Sequence, residues 1–409
     1  MLYFSLAFRN IFRNFRRTFF TFLAIAFGLA VLIVMDSMLQ GIDQDSFKKI
    51  INYETGHIKI FYKGYEKEKD DFPLDKSIPN PEQIMKEIRK LDEVEGVTSR
   101  VNFRIMLSDG VDQLPAIGVA ISPQDDEKVF LLKDAVDKGS FFEGDEEGIL
   151  LGEGLAEDFE VEVGDYLTIL TRTRYETYQA MDYRIKGLLK TEDPQIDWLA
   201  AVIPLNIAQD ALDMEGAVTE IDIRLKDPSK VEEFRQKLSE QIKGVEVLTW
   251  KDLAQDVLAI SKSKYSFSIM IFCAIVLIAL IGISNTILMA AFERTREIGV
   301  LAAMGMKRRK IVMMFVMEGA MIGFLGSVVG CLLGSFLAFL TIKYGIDYSF
   351  MMRDIGNIGY RSTGIFYGMW RPGMVLTAFI FGVVVSALVS IYPAFIASRM
   401  EPTDALKKV

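Results

Sequence analysis

The 409-residue sequence is poor in cysteine and histidine, with two Cys and one His. Both cysteines, Cys273 and Cys331, lie in apolar segments, so the long polar part of the chain has no thiol for a disulfide and must be stabilised by a hydrophobic core. A metal site built from cysteine and histidine is excluded. The single histidine, His57, lies in a strand-like stretch, and we interpret it as structural.

Sequence signatures of catalysis are also missing. No stretch matches G-x-x-x-x-G-K-[ST], the loop that holds nucleotide phosphates, and the apolar segments carry no pair of catalytic residues. We therefore predict a non-catalytic chain that binds no cofactor or metal of its own. No nucleic-acid partner is predicted.

What the sequence does contain is long apolar runs, one near the start and three near the end. Each is long enough to cross a lipid bilayer as a helix, which needs about 20 residues because every backbone polar group must be paired within lipid. The runs are residues 18–38, 267–291, 311–342 and 374–397. This 1+3 arrangement places one large polar domain between the first and second spans.

Charge predicts the orientation of the chain. Residues 41–264 hold 29 Lys and Arg against 47 Asp and Glu, a net charge of −18, whereas the rest of the chain carries +9. Outside the domain, basic residues concentrate before the first span, between the second and third spans, and at the end of the chain. Since basic flanks stay in the cytoplasm, both termini and the 292–310 loop are predicted inside, and the acidic domain and the 343–373 loop outside.

The basic start followed by an apolar run also resembles a secretory signal peptide. The run is too long for one and no small-residue cleavage site follows it, so we predict a retained anchor. Arg9, Arg13 and Arg16 recur at helical spacing opposite apolar positions, which predicts an interfacial helix. A plain basic flank is the alternative, and the two interpretations are compatible.

Two stretches of the polar domain share one plan. In the first, a strand at 57–61 precedes a helix opened by Asn80-Pro81, and a second strand starts at Gly96. In the other, 221–225 alternates as a strand, Asp227-Pro228 opens a helix, and another strand follows. We therefore predict an α+β domain made of two βαβ halves.

Between the halves, residues 122–205 contain short apolar runs separated by glycine, which predicts a mostly β insert. Residues 171–180 would be a polar, aromatic hairpin tip and a candidate docking element, because Arg and Tyr are enriched at binding hot spots. Its candidate residues are Arg172, Arg174, Tyr175 and Tyr178. The alternative, which composition favours, is an ordinary solvated hairpin.

The loop after the second span carries the most specific local pattern. Its sequence, FERTREIGVLAAMGMKRRK over residues 292–310, begins with mixed charges and continues as a short apolar helix that ends at Gly305. Further patterns are Ala7-Phe8-Arg9-Asn10, Leu151-Gly152 with Gly164-Asp165, and Pro393-Ala394, Ala397-Ser398-Arg399, Pro402 and Ala405-Leu406. In these residues the chain resembles, from end to end, the ABC transporter permeases with an FtsX-like membrane domain, which include the MacB efflux proteins and the lipoprotein-releasing LolC and LolE permeases.

The resemblance implies a division of labour. Permeases of this family form dimers, with a second copy or a paralogue, and bind two copies of a separate ATPase that holds ATP and magnesium. The loop between spans two and three sits on the ATPase as a coupling helix. The ATPase-coupling residues implied here are Glu293, Arg294, Arg296, Glu297 and Gly305. A plain interfacial flank is the alternative interpretation of these charges.

The third span repeats glycine at three- and four-residue intervals. Such patterns let helices approach closely in lipid. The candidate packing residues are Gly319, Gly323, Gly326, Gly330 and Gly334. Two ionisable residues, Glu318 and Asp36, lie within spans, where we expect hydrogen-bonded structural roles in preference to proton relay.

The resemblance also indicates a cargo. The lack of a fused ATPase and the size of the exported domain favour the LolC/LolE branch, which extracts lipoproteins from the bacterial inner membrane and passes them to a periplasmic carrier by mechanical transmission. The 171–180 hairpin falls where that branch has its carrier hook, although it lacks the proline of the hook. Candidate residues of an acyl-chain cavity are Phe22, Met35, Phe267 and Met270, which lipid exposure explains equally well.

Two other functions stay open. The first is a MacB-like efflux or mechanotransmission permease, which predicts an adaptor and an outer-membrane channel as partners. The second is a non-transport membrane sensor or scaffold, for which the cytoplasmic parts are short.

The predicted layout therefore alternates short cytoplasmic elements, spans and external segments. Its parts are a cytoplasmic interfacial helix (1–17), span one (18–40), the external domain (41–264, with an α+β part at 41–121 and 206–264 and the insert at 122–205), span two (265–291), the coupling helix (292–310), span three (311–342), an external loop (343–373), span four (374–397) and a cytoplasmic tail (398–409).

Overall fold

The computed structural model describes residues 15–144, 146–191, 193–347 and 365–398. The chain divides into two compact units. The membrane unit is Met1–Asp43, Ser261–Asp347 and Ile365–Val409, and the α+β unit is Gln44–Ile260 and Tyr348–Gly364. The predicted interfacial helix up to residue 14, most of the external loop and the tail beyond residue 398 lie outside the described residues.

The described residues form twelve α-helices and twelve strands. The helices are α1 (Phe15–Lys49), α2 (Pro81–Ile88), α3 (Pro123–Asp126), α4 (Glu153–Asp158), α5 (Pro194–Asp197), α6 (Leu205–Ala211), α7 (Val231–Gln241), α8 (Trp250–Leu253), α9 (Gln255–Glu293), α10 (Thr295–Ala303), α11 (Arg308–Tyr344) and α12 (Pro372–Ser398). The strands are β1 (Ile58–Tyr62), β2 (Val94–Ser108), β3 (Gln113–Ile121), β4 (Val136–Gly139), β5 (Ile149–Gly152), β6 (Tyr166–Arg172), β7 (Tyr178–Leu189), β8 (Ala200–Pro204), β9 (Glu220–Leu225), β10 (Val245–Thr249), β11 (Ile346–Asp347) and β12 (Ile365–Phe366).

Four helices are long and apolar enough to cross a membrane: α1, α9, α11 and α12. They coincide with the four predicted apolar runs. Two of them extend well past those runs, because α1 continues through Lys49 into a π-helical turn at Ile50–Thr55 and α9 begins at Gln255. Backbone hydrogen bonding therefore continues into polar sequence, and hydropathy marks only the lipid-compatible part of each helix.

The two predicted βαβ halves are present as β1-α2-β2 and β9-α7-β10, and they interleave in one sheet. The strand order β10-β1-β9-β2 places β1 between β9 and β10, antiparallel to both, and β9 between β1 and β2. This is a split βαβ arrangement, in which the strands of each half are separated by a strand of the other. Because neither half forms a sheet alone, the two halves make one folding unit.

The predicted β-rich insert closes a ring. Strand β2 pairs with β3, β3 with β8, β8 with β5, β5 with β7, β7 with β6, and β6 pairs back to β2. Closure reduces the number of exposed sheet edges, a common solution for small β-structures, and leaves β4 and β10 as the outer strands. Strand β3, at Gln113–Ile121, belongs to this ring, so the β-rich part begins earlier than the predicted residue 122.

One face of the interleaved sheet is apolar and is covered by helices. Ile58, Ile60 and Ile223 are fully buried against residues of α2 and α7, including Ile88 and Phe234. This cluster is the hydrophobic core expected for a domain without disulfides. Ile58 and Ile60 share this face because alternate residues of a strand point to the same side.

His57 directly precedes β1 and has a structural role. Its Nδ1 accepts a hydrogen bond from the backbone N–H of Leu225 at 2.9 Å. Burial, with a smaller contribution from the Arg224 guanidinium, lowers the pKa of His57 to about 4. No cluster of metal-ligating side chains occurs among the described residues.

We predict that His57 makes the α+β unit sensitive to mild acid. In the unfolded chain histidine titrates near pH 6.5, whereas folded His57 stays neutral down to about pH 4. The stability that neutral His57 contributes is therefore fully present above the pKa of histidine in the unfolded chain. It is lost as the pH falls toward the pKa of His57 in the folded protein. In His57→Asn, whose Oδ1 can accept the same backbone hydrogen bond, the thermal midpoint should fall less between about pH 7 and pH 4.5. An unchanged pH slope would contradict this prediction.

Candidate functional site

The segment after the second span forms the short helix α10, within the predicted coupling region 292–310. Its exposed side carries Arg296 and Glu297, and Glu293 at the end of α9 is also exposed. The chain turns after α10 at Gly305, which has a φ of 85°. Glycine adopts this left-handed conformation without the steric cost of a side chain.

Arg294 does not share this exposed side, contrary to its predicted role as a contact for an ATPase. Only 2% of its surface is exposed. Its Nη1 lies 3.3 Å from Oε2 of Glu318 on α11. Glu318 is therefore paired within the membrane unit, as expected for an ionisable group in a span. The sequence signal that pointed to this pair is a carboxylate about two turns inside the predicted span 311–342, where an unpaired charge is costly.

The glycines of α11 lie against two neighbouring helices. A methyl group at Gly330 would lie 2.7 Å from the carbonyl oxygen of Ala26 on α1, and one at Gly334 would lie 2.9 Å from Cα of Ala30. Gly326 similarly faces Ile25 of α1, whereas Gly319 and Gly323 face Ser390 and Ser386 of α12. The row of five glycines is therefore divided: Gly319 and Gly323 pack on α12, whereas Gly326, Gly330 and Gly334 pack on α1.

Helices α1 and α9 are joined by polar contacts near both ends of their spans. The hydroxyls of Thr21 and Thr286 are 2.7 Å apart. Toward the other end, Lys264 Nζ lies 2.5 Å from Oδ1 of Asp43, and Ser261 also bonds to this carboxylate. These contacts pair the two helices that flank the α+β unit in sequence.

A largely apolar cavity of about 260 Å³ lies between α1, α9 and α12. Its lining residues are Leu32, Asp36, Tyr265, Ser268, Ile269, Phe272, Met374, Thr377, Ala378 and Phe381. At its polar end Asp36 faces Arg371, with Nη1 to Oδ1 at 3.4 Å.

None of the four residues predicted for an acyl-chain cavity lines this space. Phe267 and Met270 are more than half exposed, and Phe22 packs on the core of the membrane unit. Met35 is half-buried outside the cavity. All four lie on α1 or α9, two of the helices that bound the cavity, but on other faces of these helices. Apolar composition cannot distinguish the faces of a helix that is apolar all round.

The predicted hairpin is present as β6 and β7, with Arg172 opposite Tyr178. Arg172 donates hydrogen bonds to Tyr178 and Glu176, at 2.8 and 3.1 Å. The tip is also held to the segment after α6, because the backbone N–H of Arg174 donates a hydrogen bond to the carbonyl of Leu212. The hairpin is therefore ordered by its own polar contacts.

A groove of about 1030 Å³ runs along the hairpin. Arg172, Arg174 and Tyr178 line it together with Asp71–Asp75 and part of β2, whereas Tyr175 lies outside. Tyr178 and Tyr175 remain largely exposed. Three of the four predicted docking residues thus share one concave surface of mixed charge.

The sequence interpretation missed a group of buried charges on the second face of the interleaved sheet. Lys59 Nζ lies 2.7 Å from Glu220 and 3.3 Å from Asp222. Arg100 forms a bidentate pair with Asp126, at 2.7 and 3.0 Å. Charged residues alternating with isoleucine along a strand are typical of a solvated face, so only the fold reveals that this face is covered.

The cover is the π-helical turn Ile50–Thr55 that follows α1. Arg100 donates to the carbonyl of Tyr53 at 3.0 Å, and Arg224 donates to Asn52 Oδ1 at 2.8 Å. The Arg100 guanidinium also stacks 3.3 Å from the centre of the Phe130 ring. Arginine supplies several fixed donors, so these two side chains tie the end of α1 to β2 and β9.

Two family models match the chain. The MacB-like periplasmic core domain matches residues 18–241, more than half of the chain, and the FtsX-like permease C-terminal domain matches residues 269–402. The first match begins within α1 and continues through the α+β unit to the end of α7, and the second begins within α9 and includes α10, α11 and α12.

Curated relatives cover nearly the whole chain. The lipoprotein-releasing system transmembrane protein LolE of Haemophilus influenzae is 23% identical over 406 residues, 95% of this chain and 93% of that protein. LolC of Neisseria meningitidis is 22% identical over 98% of this chain and 95% of its own length. A probable export ATP-binding/permease protein MacB of Pseudomonas entomophila is 29% identical over 46% of this chain and 26% of its own length.

Two solved structures resemble part of the chain. The extracellular domain of the transporter YknZ from Gram-positive bacteria is matched over its full length and 47% of this chain, with 13% identity and a TM-score of 0.35. The periplasmic region of MacB from Actinobacillus actinomycetemcomitans is matched over 95% of its length and 51% of this chain, with 15% identity and a TM-score of 0.36.

We predict that Gly330→Ala destabilises the membrane unit. The added methyl would meet backbone atoms of α1 at 2.7 and 3.0 Å, and overpacking of this kind typically costs about 1–3 kcal/mol. The matched control is Gly282→Ala on α9, where nothing lies within 4 Å of the new methyl. The thermal midpoint in detergent should fall for the first variant only; equal midpoints would contradict the close contact of α11 with α1.

We also predict that Arg100→Met destabilises the α+β unit strongly. The change leaves Asp126 buried without its partner, and breaking a buried ion pair on one side costs about 3–5 kcal/mol. Arg104→Met is the control, because Arg104 lies on the same strand with 66% of its side chain exposed. Urea unfolding followed by tryptophan fluorescence compares the two, and equal loss of stability in both variants would argue against the buried pair.

Proposed function

Because the chain belongs to the ABC transporter permeases that combine a MacB-like periplasmic core domain with an FtsX-like C-terminal domain, we propose that it extracts lipoproteins from the bacterial inner membrane. ATP is hydrolysed by two copies of a separate ATPase. A second permease copy or paralogue completes the membrane part. The complex then passes its cargo to a periplasmic carrier, with both termini in the cytoplasm and the α+β unit in the periplasm.

The coupling surface is the exposed side of α10 together with Glu293 at the end of α9. Glu293, Arg296 and Glu297 offer charges of both signs to a soluble partner, while Ile298 on the opposite side is 4% exposed and packs into the membrane unit. A helix held on one side and charged on the other suits the transfer of motion from an ATPase. The surface ends on its C-terminal side at the turn formed by Gly305.

The observation that carries the lipoprotein proposal is the cavity between α1, α9 and α12. It is lined mainly by apolar groups, and the Tyr265 hydroxyl and the Asp36–Arg371 pair lie at its polar end. A lipid-modified peptide has the same two parts, acyl chains and a polar backbone. Each buried methylene contributes about 0.8 kcal/mol, so even a short length of acyl chain gives useful affinity.

The groove along the β6–β7 hairpin is the proposed carrier site. Its arginines and exposed Tyr178 suit a protein partner, because Arg and Tyr dominate binding hot spots.

Tight packing of α11 on α1 and α12 would carry motion from α10 to α1, which leads into the α+β unit. The transport step is then mechanical transmission without a solute channel.

An efflux or mechanotransmission permease is the second candidate. It is favoured by the match of the MacB-like core domain and by the higher identity to MacB, 29% over 199 residues. Coverage favours the first candidate, since the LolE and LolC relatives align over more than nine tenths of both chains.

Purification from membranes with the co-isolated ATPase, followed by mass spectrometry of bound lipid-modified peptide, tests the proposal. The wild-type complex should retain triacylated peptide. Thr377→Phe, which fills the cavity, should reduce its amount about tenfold, because excluding about two methylenes costs about 1.6 kcal/mol.

The matched control is Leu376→Phe, one residue away, exposed and outside the cavity. It should retain wild-type peptide levels. Recovery of small efflux substrates without lipoprotein would instead support the second candidate. Equal peptide loss in both variants would reject the cavity as the acyl-chain site.

A further inference from the structure

The helix is interrupted at one residue between the second span and α10. Helix α9 ends at Glu293, α10 begins at Thr295, and Arg294 is the single residue between them. The N–H of Arg294 bonds to the carbonyl of Ala291, and its own carbonyl accepts from Ile298. The Thr295 hydroxyl donates to the carbonyl of Phe292 at 2.7 Å. The break is therefore a hydrogen-bonded joint, in which backbone groups left by the end of α9 find partners.

The side chain at this joint points into the membrane unit. Arg294 and Glu318 are 2% and 6% exposed, and 3.3 Å separates Nη1 from Oε2. An arginine this deeply buried cannot meet a soluble partner in this conformation. A buried ion pair adds little net stability compared with apolar residues, so its value lies in fixing one geometry between the two helices that carry it.

Glu318 lies at a point where several helices of the membrane unit are in contact. The next residue, Gly319, contacts Ile287 of α9 and Ser390 of α12 through the space that a side chain would fill. Ile298 of α10 belongs to the same cluster as Phe315 of α11 and Ala394 of α12. The ion pair thus lies where α9, α10, α11 and α12 converge.

We propose that Arg294 is a positioning residue whose pair with Glu318 locks α10 to α11, so that a push on the exposed side of α10 moves α11 with it. The inference rests on the proposed coupling to an ATPase and separates two roles within one short segment. Glu293, Arg296 and Glu297 bind the partner. Arg294 binds nothing outside the chain and transmits the motion.

The two roles predict different kinetic outcomes. Arg294→Met and Glu318→Gln should each reduce permease-stimulated ATP hydrolysis by about tenfold, within the range typical of coupling between sites, while the Kd for the co-isolated ATPase stays near the wild-type value. Arg296→Met, two residues away and exposed, is the matched control and should raise the Kd.

A double-variant cycle and an exchange of charges sharpen the test. Arg294→Met/Glu318→Met leaves no unpaired buried charge, so it should fold even if a single variant does not, and it should be no worse in hydrolysis than either single variant. Arg294→Glu/Glu318→Arg should recover part of the stimulation. The proposal is overturned if Arg294→Met raises the Kd as Arg296→Met does, or if the two single effects multiply in the double variant.

A measurement on the permease alone tests, without the ATPase, whether the Arg294–Glu318 pair holds α10 to α11. Spin labels at Val300 of α10 and Met313 of α11, both exposed, report the distance between these helices after Cys273 and Cys331 are replaced. Glu318→Gln should broaden the distance distribution, and the charge exchange should narrow it again. An unchanged distribution would reject the lock, whereas failure of the wild-type chain to bind any ATPase would reject only the proposed function.

Discussion

Close contact between α11 and its neighbours is the constraint on which the membrane unit depends. Lipid removes the hydrophobic drive that joins helices in water, so association must come from van der Waals contact and hydrogen bonds. Glycines on α11 allow the backbone of α1 to approach, and serines of α12 fill the space beside Gly319 and Gly323. Ser386 and Ser390 bond to carbonyls of their own helix, at 2.7 and 2.6 Å, which lets them face this contact without an unpaired hydroxyl.

Two buried arginine–carboxylate pairs lie next to helix ends. In the membrane unit, Arg294 occupies the joint between α9 and α10 and pairs with Glu318. In the α+β unit, Arg100 holds the π-helical turn that ends α1 and pairs with Asp126. In both places an arginine pairs with a buried carboxylate, and Arg294 occupies a helix end whereas Arg100 of β2 contacts one. Such pairs define geometry, which a permease that transmits motion requires more than added stability.

Much of the architecture could be read from periodicity and charge. The four apolar runs, the two βαβ halves, the β-rich insert and the hairpin all correspond to elements of the structure, because each depends on local patterns of side chains. The interleaving of the halves and the closure of the ring could not be read, because they depend on pairing between β1 and β9 or β2 and β6, far apart in sequence. The glycine stripe was recognised, but its division between α12 and α1 was not.

The sequence by itself determined the number and type of elements, the acidic character of the region between the first two spans, and the segment that forms α10. Tertiary structure alone decided which charges are available. Arg294 and Arg296 are two residues apart and equally basic, yet one is buried against Glu318 and the other is exposed. The same holds for the cavity of the membrane unit, since Phe267 and Ile269 are both apolar and only Ile269 lines it. The sequence gives the chemical type of each side chain. Whether that side chain is buried or exposed depends on which side of its helix packs against the neighbouring helices.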